Sequence, residues 1–174
     1  MTRAYEHFGG FEIPRRHEIV ASNELTKFWV EVEDQYPGLA TARGCYIFAV
    51  SAGGSIKPWY VGKASGENGF RQEAFAPHKL NHYNEYLAGK RGRPLLYLVA
   101  ARTEGGRFRK AADTEVLWVE DFLISLAVEA NDELLNKRNV GFLRDCMIPG
   151  LLNSAAGGSS KMKAEIRGMF NIRT

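Results

Sequence analysis

The feature that most constrains the fold is a pair of apolar runs joined by a glycine-rich turn. The first run is residues 45–50, the second is residues 59–62, and residues 51–55 lie between them. Glycine at the centre of such a turn accepts the backbone angles that a tight hairpin needs. Short runs of aromatic and β-branched residues are typical of strands. The pattern therefore predicts a β-hairpin that holds the phenols of Tyr46 and Tyr60 near each other.

Other segments carry equally local signals. Residues 95–101 are almost continuously apolar, which is typical of a central strand covered on both faces. Ser22 or Asn23 can cap a helix that ends before the Tyr36-Pro37-Gly38 breaker. The apolar positions of that helix fall at i, i+3, i+4 and i+7, at Leu25, Phe28, Trp29 and Val32.

The remaining helices are predicted from breakers and periodicity. Pro77 separates a helical piece near residues 67–75 from one at residues 78–87. The strongest helical pattern spans residues 115–129, with an apolar side formed by Leu117, Phe122, Leu123 and Leu126. Shorter helices are predicted at residues 132–137 and 161–170.

The order β-β-α-α-β-α predicts a small α+β domain. A chain of 174 residues is expected to form one such domain. We expect residues 1–42 to be an N-terminal helical extension and residues 43–155 to be the domain. Residues 156–174 would then be a flexible link and a short C-terminal helix.

The chain carries no sign of export or of membrane insertion. No apolar run approaches the roughly 20 residues of a membrane helix. The first residues lack the apolar core of a secretion signal. Two cysteines, Cys45 and Cys146, are too few for a disulfide framework or a zinc site. We therefore expect a soluble, intracellular protein of the cytoplasm without a membrane partner.

Positive charge is concentrated in one part of the chain. Between residues 79 and 110, eight basic residues face two acidic ones, which is a local excess of +6 against +3 for the whole chain. Such a concentration suits a polyanion whose phosphates contact basic side chains. The alternative is an ordinary solvated surface. The candidates for phosphate contact are Lys79, Lys90, Arg91 and Arg93.

Five elements together resemble the GIY-YIG endonuclease superfamily. They are Gly44-Cys45-Tyr46, the string Trp59-Tyr60-Val61-Gly62-Lys63-Ala64, Arg71, the helix of residues 115–124, and Pro149-Gly150-Leu151-Leu152-Asn153. The resemblance spans residues 43–155. It implies a small GIY-YIG-like domain with a three-stranded mixed sheet flanked by helices. It also implies a metal-dependent endonuclease that hydrolyses DNA, with DNA favoured over RNA by the habit of the family alone.

The resemblance also implies a set of site residues. Tyr46 and Tyr60 would be the active-site phenols, Lys63 their cationic neighbour, and Arg71 the contact to the scissile phosphate. Glu120 would bind one divalent cation, Mg²⁺ or Mn²⁺, for which a hard oxygen ligand is suitable. Glu115 is the alternative ligand. Asn153 would be a late structural or positioning residue, or only a turn residue.

Proton transfer is the step that needs a special arrangement, because an unperturbed phenol has a pKa of about 10. We hypothesise that Lys63 and a metal-bound water stabilise the phenolate of Tyr46, which then takes a proton from water. Many members of the family place a histidine or tyrosine one turn after the arginine, where this chain has Phe75. Either His78 takes over that supporting role, with His82 and Tyr83 as further options, or the role is absent.

Two other functional classes stay open. A nucleic-acid-binding module could have kept the fold and lost efficient chemistry, and Phe75 favours that alternative. A small-molecule or host-defence enzyme could use the first 40 residues as a lid, although no cofactor motif supports it. The sequence has no separate DNA-binding domain, so specificity would come from loops within residues 64–110, from the N-terminal helix or from a protein partner.

Overall fold

The computed structural model describes residues 4–17, 19–89 and 91–136. In chain order the strands are β1 (Ala4–Glu12), β2 (Arg15–Arg16), β3 (Ile19–Val20), β4 (Gly44–Ala52), β5 (Ser55–Ala64) and β6 (Arg93–Arg102). The helices are α1 (Leu25–Gln35), α2 (Gly69–Glu73), α3 (Pro77–Leu87) and α4 (Asp113–Ala130), and a single 3₁₀ turn (Ser22–Glu24) precedes α1. The predicted α+β class is confirmed.

The predicted hairpin is formed by β4 and β5. Ala52 pairs with Ser55, so the turn between the strands has two residues, Gly53 and Gly54. Both have positive φ, at 59° and 81°. A two-residue turn that matches the twist of the flanking strands requires positive φ at both positions. The glycine-rich segment is therefore the local cause of the hairpin.

The sheet has four strands in the order β1-β6-β4-β5, and every neighbouring pair is antiparallel. The prediction of a three-stranded mixed sheet is therefore wrong. Residues 4–12 form an edge strand, and they do not belong to a helical extension. Gly9 and Gly10 resemble a turn in the sequence, but here they form a bulge in β1. A Cβ at Gly9 would lie 2.6 Å from the carbonyl oxygen of Leu96, so the close approach of β1 to β6 requires glycine.

The two faces of the sheet carry different cores. One face is covered by α1, α2 and α3, with an aromatic core that includes Phe28, Phe48 and Tyr83. The other face carries a smaller cluster in which Cys45 packs against Val116 of α4. Gly44 allows β4 to lie close to β6, because a Cβ there would overlap the carbonyl oxygen of Val99.

The helices follow their sequence signals closely, with one difference. The buried residues of α1 are Phe28, Trp29 and Val32, as predicted. Helix α3 begins at Pro77, a favoured first residue because its missing N–H would have no intrahelical partner. In α4 the predicted apolar side is wrong for Phe122 and Leu126, which are exposed, whereas Val116, Glu120 and Ile124 are buried.

Residues 131–136, which follow α4, are not helical. Where a helix was predicted at 132–137, the described residues 132–136 form a turn at 132–133 and a bend at 135. Asn153 and the predicted C-terminal helix lie outside the described residues. Within the described ranges, no helix is both long enough and apolar enough to cross a membrane.

Candidate active site

The two phenols of the hairpin lie side by side on one face of the sheet. Tyr46 is paired with Gly62 and Tyr60 with Phe48 across β4 and β5. The rings are stacked with centroids 6.2 Å apart and planes 19° apart. A Cβ at Gly62 would overlap the Cζ and hydroxyl of Tyr46. Gly62 therefore provides the gap that the Tyr46 ring fills.

Tyr46 and Tyr60 differ in their environments. Tyr46 is completely buried, and its hydroxyl donates a long hydrogen bond of 3.5 Å to the carbonyl oxygen of Glu73 in α2. Burial raises the pKa of Tyr46 far above its ordinary value, and the neighbouring Tyr83 and Tyr60 add to the effect. Tyr46 therefore stays protonated at neutral pH, which argues against the hypothesis that it is the phenolate base.

Lys63 lies on the opposite face of the sheet from the phenols. Its strand partner is Cys45, whose thiol donates to the carbonyl oxygen of Val116 in α4 at 3.4 Å. The ammonium of Lys63 pairs with Asp113 at the start of α4, at 2.6 Å. Hydrogen bonds from Lys63 and then Ser65 lower the pKa of the Asp113 carboxyl. The structure does not bring Lys63 together with Tyr46 and Tyr60.

Lys79 occupies the position beside the phenols that was predicted for Lys63. Its ammonium donates to the hydroxyl oxygen of Tyr60. The same nitrogen lies 4.5 Å from the Tyr60 ring centroid and 5.9 Å from that of Tyr46. Sequence reasoning assigned Lys79 to phosphate contact only. Its spacing from Tyr83 and Tyr86, at i+4 and i+7 of α3, was the signal that it shares their inward stripe.

The histidine beside the phenols is His82. Its ring is stacked over Tyr60, with centroids 6.4 Å apart and planes 17° apart. His78 is exposed near the start of α3. Phe75 is a core residue, with its ring 5.3 Å from that of Phe28. His82, one of the options named for the supporting role, therefore lies beside Tyr60.

Arg71 lies on the helix that touches Tyr46. The chain at the start of α2 is held to the preceding loop, since Phe70 and Arg71 donate backbone hydrogen bonds to Ala42 and Ala40 at 3.2 and 2.8 Å. Gly69 has φ of 53°, and a Cβ there would overlap the carbonyl of Ala42. The guanidinium of Arg71 is left exposed. It is available to a phosphate near the phenol face.

Glu120 and Asp121 are consecutive acidic residues of α4, the helix that packs against the face of the sheet carrying Cys45. Glu120 is 6% exposed, and its charge is among the influences that raise the pKa of Tyr46. Burial, Glu120 and Asp121 all raise the pKa of the Cys45 thiol. The Oδ1 atom of Asp121 is buried and has no hydrogen-bond partner among the described residues. The sequence analysis did not single out Asp121.

The resemblance implies that Glu120 holds one divalent cation with few protein ligands. Mg²⁺ is commonly held by one or two carboxylates, with water and substrate phosphates completing its shell. The described residues contain no group of three or more His, Cys, Asp or Glu side chains that could hold a metal by themselves. The alternative ligand, Glu115, is engaged elsewhere, because Arg109 donates to both of its carboxylate oxygens.

Two asparagines that were not predicted from the sequence, Asn131 and Asn136, form hydrogen bonds with the outer edge of β5. Asn136 accepts from the backbone N–H of Val61 at 3.0 Å and donates to the carbonyl of the same residue. Asn131 donates to the carbonyl of Pro58 at 2.8 Å. Val61 lies between Tyr60 and Gly62, so Asn136 holds the segment of β5 that carries Tyr60. No local pattern distinguished these two from other loop asparagines.

The basic segment is partly neutralised within the molecule. Arg102 pairs with Glu6 at 2.9 Å, Arg93 pairs with Glu12 at 3.5 Å, and Arg109 pairs with Glu115. Arg91 is exposed, and Lys90 lies outside the described residues. The predicted phosphate contacts therefore divide into Lys79 at the phenols, exposed Arg91 and ion-paired Arg93.

No protein-family model, no curated protein and no solved structure matches this chain. The family resemblance therefore rests on the sequence motifs, and it stays a prediction.

Proposed function

We propose that this protein is a metal-dependent endonuclease that hydrolyses phosphodiester bonds of DNA at the Tyr46–Tyr60–Lys79 cluster. The observation that carries the proposal is the stacked phenol pair with an ammonium at the Tyr60 oxygen. The preference for DNA comes from the family resemblance.

In this proposal the Tyr60 hydroxyl first gives up its proton to solvent, and the phenolate that forms accepts a proton from the attacking water. Tyr60 is the phenol in contact with Lys79, whose ammonium stabilises the negative charge of the phenolate. His82 lies over the Tyr60 ring at an exposed position, where it can relay protons between the site and solvent. Tyr46 remains neutral and positions Tyr60 by stacking.

Arg71 binds the scissile phosphate in this mechanism. A planar guanidinium pairs with two phosphate oxygens at once, which orients the phosphorus toward the attacking water. Glu120, with Asp121 beside it, would hold the divalent cation. That cation, when bound, polarises a phosphoryl oxygen and stabilises charge on the leaving group.

A plasmid-nicking assay with Mg²⁺ or Mn²⁺ tests the proposal. We expect the wild-type protein to convert supercoiled plasmid to the open circle, and chelation of the metal to stop the reaction. Tyr60→Phe should lower the rate about 10²- to 10⁴-fold, which is the usual contribution of general acid–base catalysis. Tyr36→Phe is the matched control, because Tyr36 is 39% exposed and makes no recorded contact with the phenol pair.

A nucleic-acid-binding module with little or no activity is the second candidate. The core packing of Phe75 and the burial of Tyr46 favour it. The same assay separates the two candidates. If both plasmid and branched DNA are bound in a salt-sensitive way and neither is cut at any metal concentration, the module replaces the enzyme.

A further inference from the structure

A second site candidate lies at the turn end of the β4–β5 hairpin. Here a cavity of about 420 Å³ is lined by Lys57 and Trp59 of β5, by Tyr86 of α3 and by Arg91. This volume falls within the range of roughly 300–1,000 Å³ that is usual for small-molecule sites. We call these four residues the aromatic–cationic groove. None of them belongs to the proposed catalytic cluster.

A β-bulge creates the aromatic part of the groove. Phe48 pairs with Tyr60 and Ala49 pairs with Pro58, so Trp59 is the extra residue of β5. Bulges re-aim side chains, and here both Trp59 and Tyr60 contact α3. The rings of Trp59 and Tyr86 meet with centroids 3.7 Å apart and planes 30° apart. The bulge thus places an aromatic pair next to the proposed catalytic tyrosine.

The groove is close to the catalytic cluster and lies along the same helix. Lys79 and Tyr86 are seven residues apart on α3, which is two turns or about 10 Å along the axis. Both contact β5, Lys79 through Tyr60 and Tyr86 through Trp59. A polymer bound at one position would therefore pass the other within the length of a few linked units.

The charge of the groove is positive. Lys57 and Arg91 are exposed, and no carboxylate lines the cavity. Neither cation forms an ion pair within the part of the chain that the structure describes. Burial, and then the charge of Glu133, raises the pKa of Tyr86, so the Tyr86 hydroxyl stays protonated. An anionic ligand is therefore favoured over a neutral or cationic one.

Of the aromatic pair, Trp59 is buried against Tyr86, and Tyr86 is the partly exposed ring. A partly exposed ring beside two exposed cations suits a single-stranded nucleic acid. An unpaired base stacks on an aromatic side chain, while the adjoining phosphates contact lysine and arginine. A base inside a duplex does not offer its face, because its neighbours in the stack cover it. The chemistry of the groove thus distinguishes unpaired from paired strands.

We infer that the aromatic–cationic groove binds an unpaired nucleotide of a single-stranded or branched nucleic acid. The inference rests on the proposed function for its biological meaning, since the bound nucleotide would lie about 10 Å from the cleavage cluster. Nucleic acids with an unpaired segment would then be the preferred substrates of this site.

The test measures binding without cleavage. Fluorescence anisotropy with a labelled oligothymidylate and a matched blunt duplex, both in chelator, reports affinity for each form. We expect the single strand to bind more tightly than the duplex. Tyr86→Leu should weaken single-strand binding about five-fold or more, because one base–aromatic stack contributes about 1–3 kcal/mol. Tyr36→Leu is the matched aromatic control.

A second variant, changed only at the surface, keeps the test decisive if Tyr86→Leu does not fold. Lys57→Gln combined with Arg91→Gln changes only exposed residues and should reduce the salt slope of single-strand binding by about 1.4, since each phosphate contact contributes about 0.7. Lys27→Gln, an exposed lysine of α1, is the charge control.

Each result has a distinct meaning. Equal affinity for single strand and duplex, or no effect of Tyr86→Leu and of the double glutamine variant, overturns the groove. Sensitivity to these variants in a protein that never cuts plasmid leaves the groove standing and refutes the proposed nuclease. If the protein cuts plasmid but its single-strand binding is unaffected by these variants, the proposed nuclease stands and the groove is refuted.

Discussion

The two faces of the central sheet carry similar residues in different settings. On the face covered by α2 and α3, the ammonium of Lys79 meets the hydroxyl of Tyr60. On the face covered by α4, the ammonium of Lys63 meets the carboxylate of Asp113. One lysine adjoins a phenol, and the other is held in an ion pair. Residues that are close together in a sequence motif therefore need not belong to the same site, because neighbouring residues of a strand point to opposite faces of the sheet.

The largest expected effect on the nicking rate concerns the two buried carboxylates of α4, Glu115 and Glu120. Glu120→Gln should lower metal-dependent nicking by about 10²-fold or more, because it removes the proposed oxygen ligand of the cation. Glu115→Gln should leave the rate per folded molecule near that of the wild type. It should reduce the free energy of unfolding by about 1–3 kcal/mol, since Arg109 loses its partner.

Nicking rates and urea denaturation of both variants provide the measurements. If Glu115→Gln abolished cleavage in a folded protein while Glu120→Gln did not, the two carboxylates would have to exchange their assigned roles.

A side chain added at Gly62 tests the position of the Tyr46 ring, because the change can be read in the free energy of unfolding. Gly62→Ala would push a Cβ into the Tyr46 ring, and overpacking of this kind reduces the free energy of unfolding by about 1–3 kcal/mol. Gly66→Ala is the matched control, because its new Cβ would have no neighbour closer than 3.5 Å. Urea midpoints of the two variants give the comparison. Equal midpoints would show that Tyr46 does not lie over Gly62.

The edge of β5 tests how the strand that bears Tyr60 is held. Asn136→Ala leaves the N–H and carbonyl of Val61 without their side-chain partner, with an expected loss of about 1–2 kcal/mol in the free energy of unfolding. Asn81→Ala, at an exposed position of α3, is the control. Hydrogen exchange of the Val61 amide should be faster in the first variant only. Unchanged exchange would remove Asn136 from its positioning role.

The ion pair on the α4 face should give the smallest effect. The Asp113 carboxyl has a lowered pKa in the folded state, so its contribution is present above the unfolded-state pKa of about 4. That contribution disappears as the pH falls through the folded-state pKa. Because Asp113 is 62% exposed, it should be less than about 1 kcal/mol.

Urea midpoints measured from about pH 6 to about pH 2 provide the check. The difference between wild type and Asp113→Asn should shrink to zero at the acid end. A difference that grows on acidification would contradict the assigned pair.

The parts of the fold that were predictable have causes local in sequence. The hairpin follows from the positive φ of Gly53 and Gly54, and α1 follows from its i, i+3, i+4, i+7 apolar pattern. Strand β1 was missed because Gly9 and Gly10 indicate a turn unless the carbonyl of Leu96, distant in sequence, is known to lie against them.

The candidate site was predictable in part. The phenol pair follows from the hairpin, but Lys63 was assigned by its place in the motif. Its odd separation of three residues from Tyr60 already indicated the opposite face. The edge contact of Asn136 could not be predicted, because it depends on where the chain turns after α4. Asn153, outside the described residues, stays a prediction.

The most direct test of the central claim is the nicking rate of Lys79→Met beside that of Lys63→Met, measured under the same saturating metal. Because the proposed mechanism has Lys79 stabilise the phenolate of Tyr60, whereas Lys63 pairs with Asp113, Lys79→Met should lower the rate about 10²-fold or more. Lys63→Met should stay close to the wild-type rate. A large loss in Lys63→Met together with a normal rate in Lys79→Met would contradict the assignment of catalysis to the Tyr46–Tyr60–Lys79 cluster.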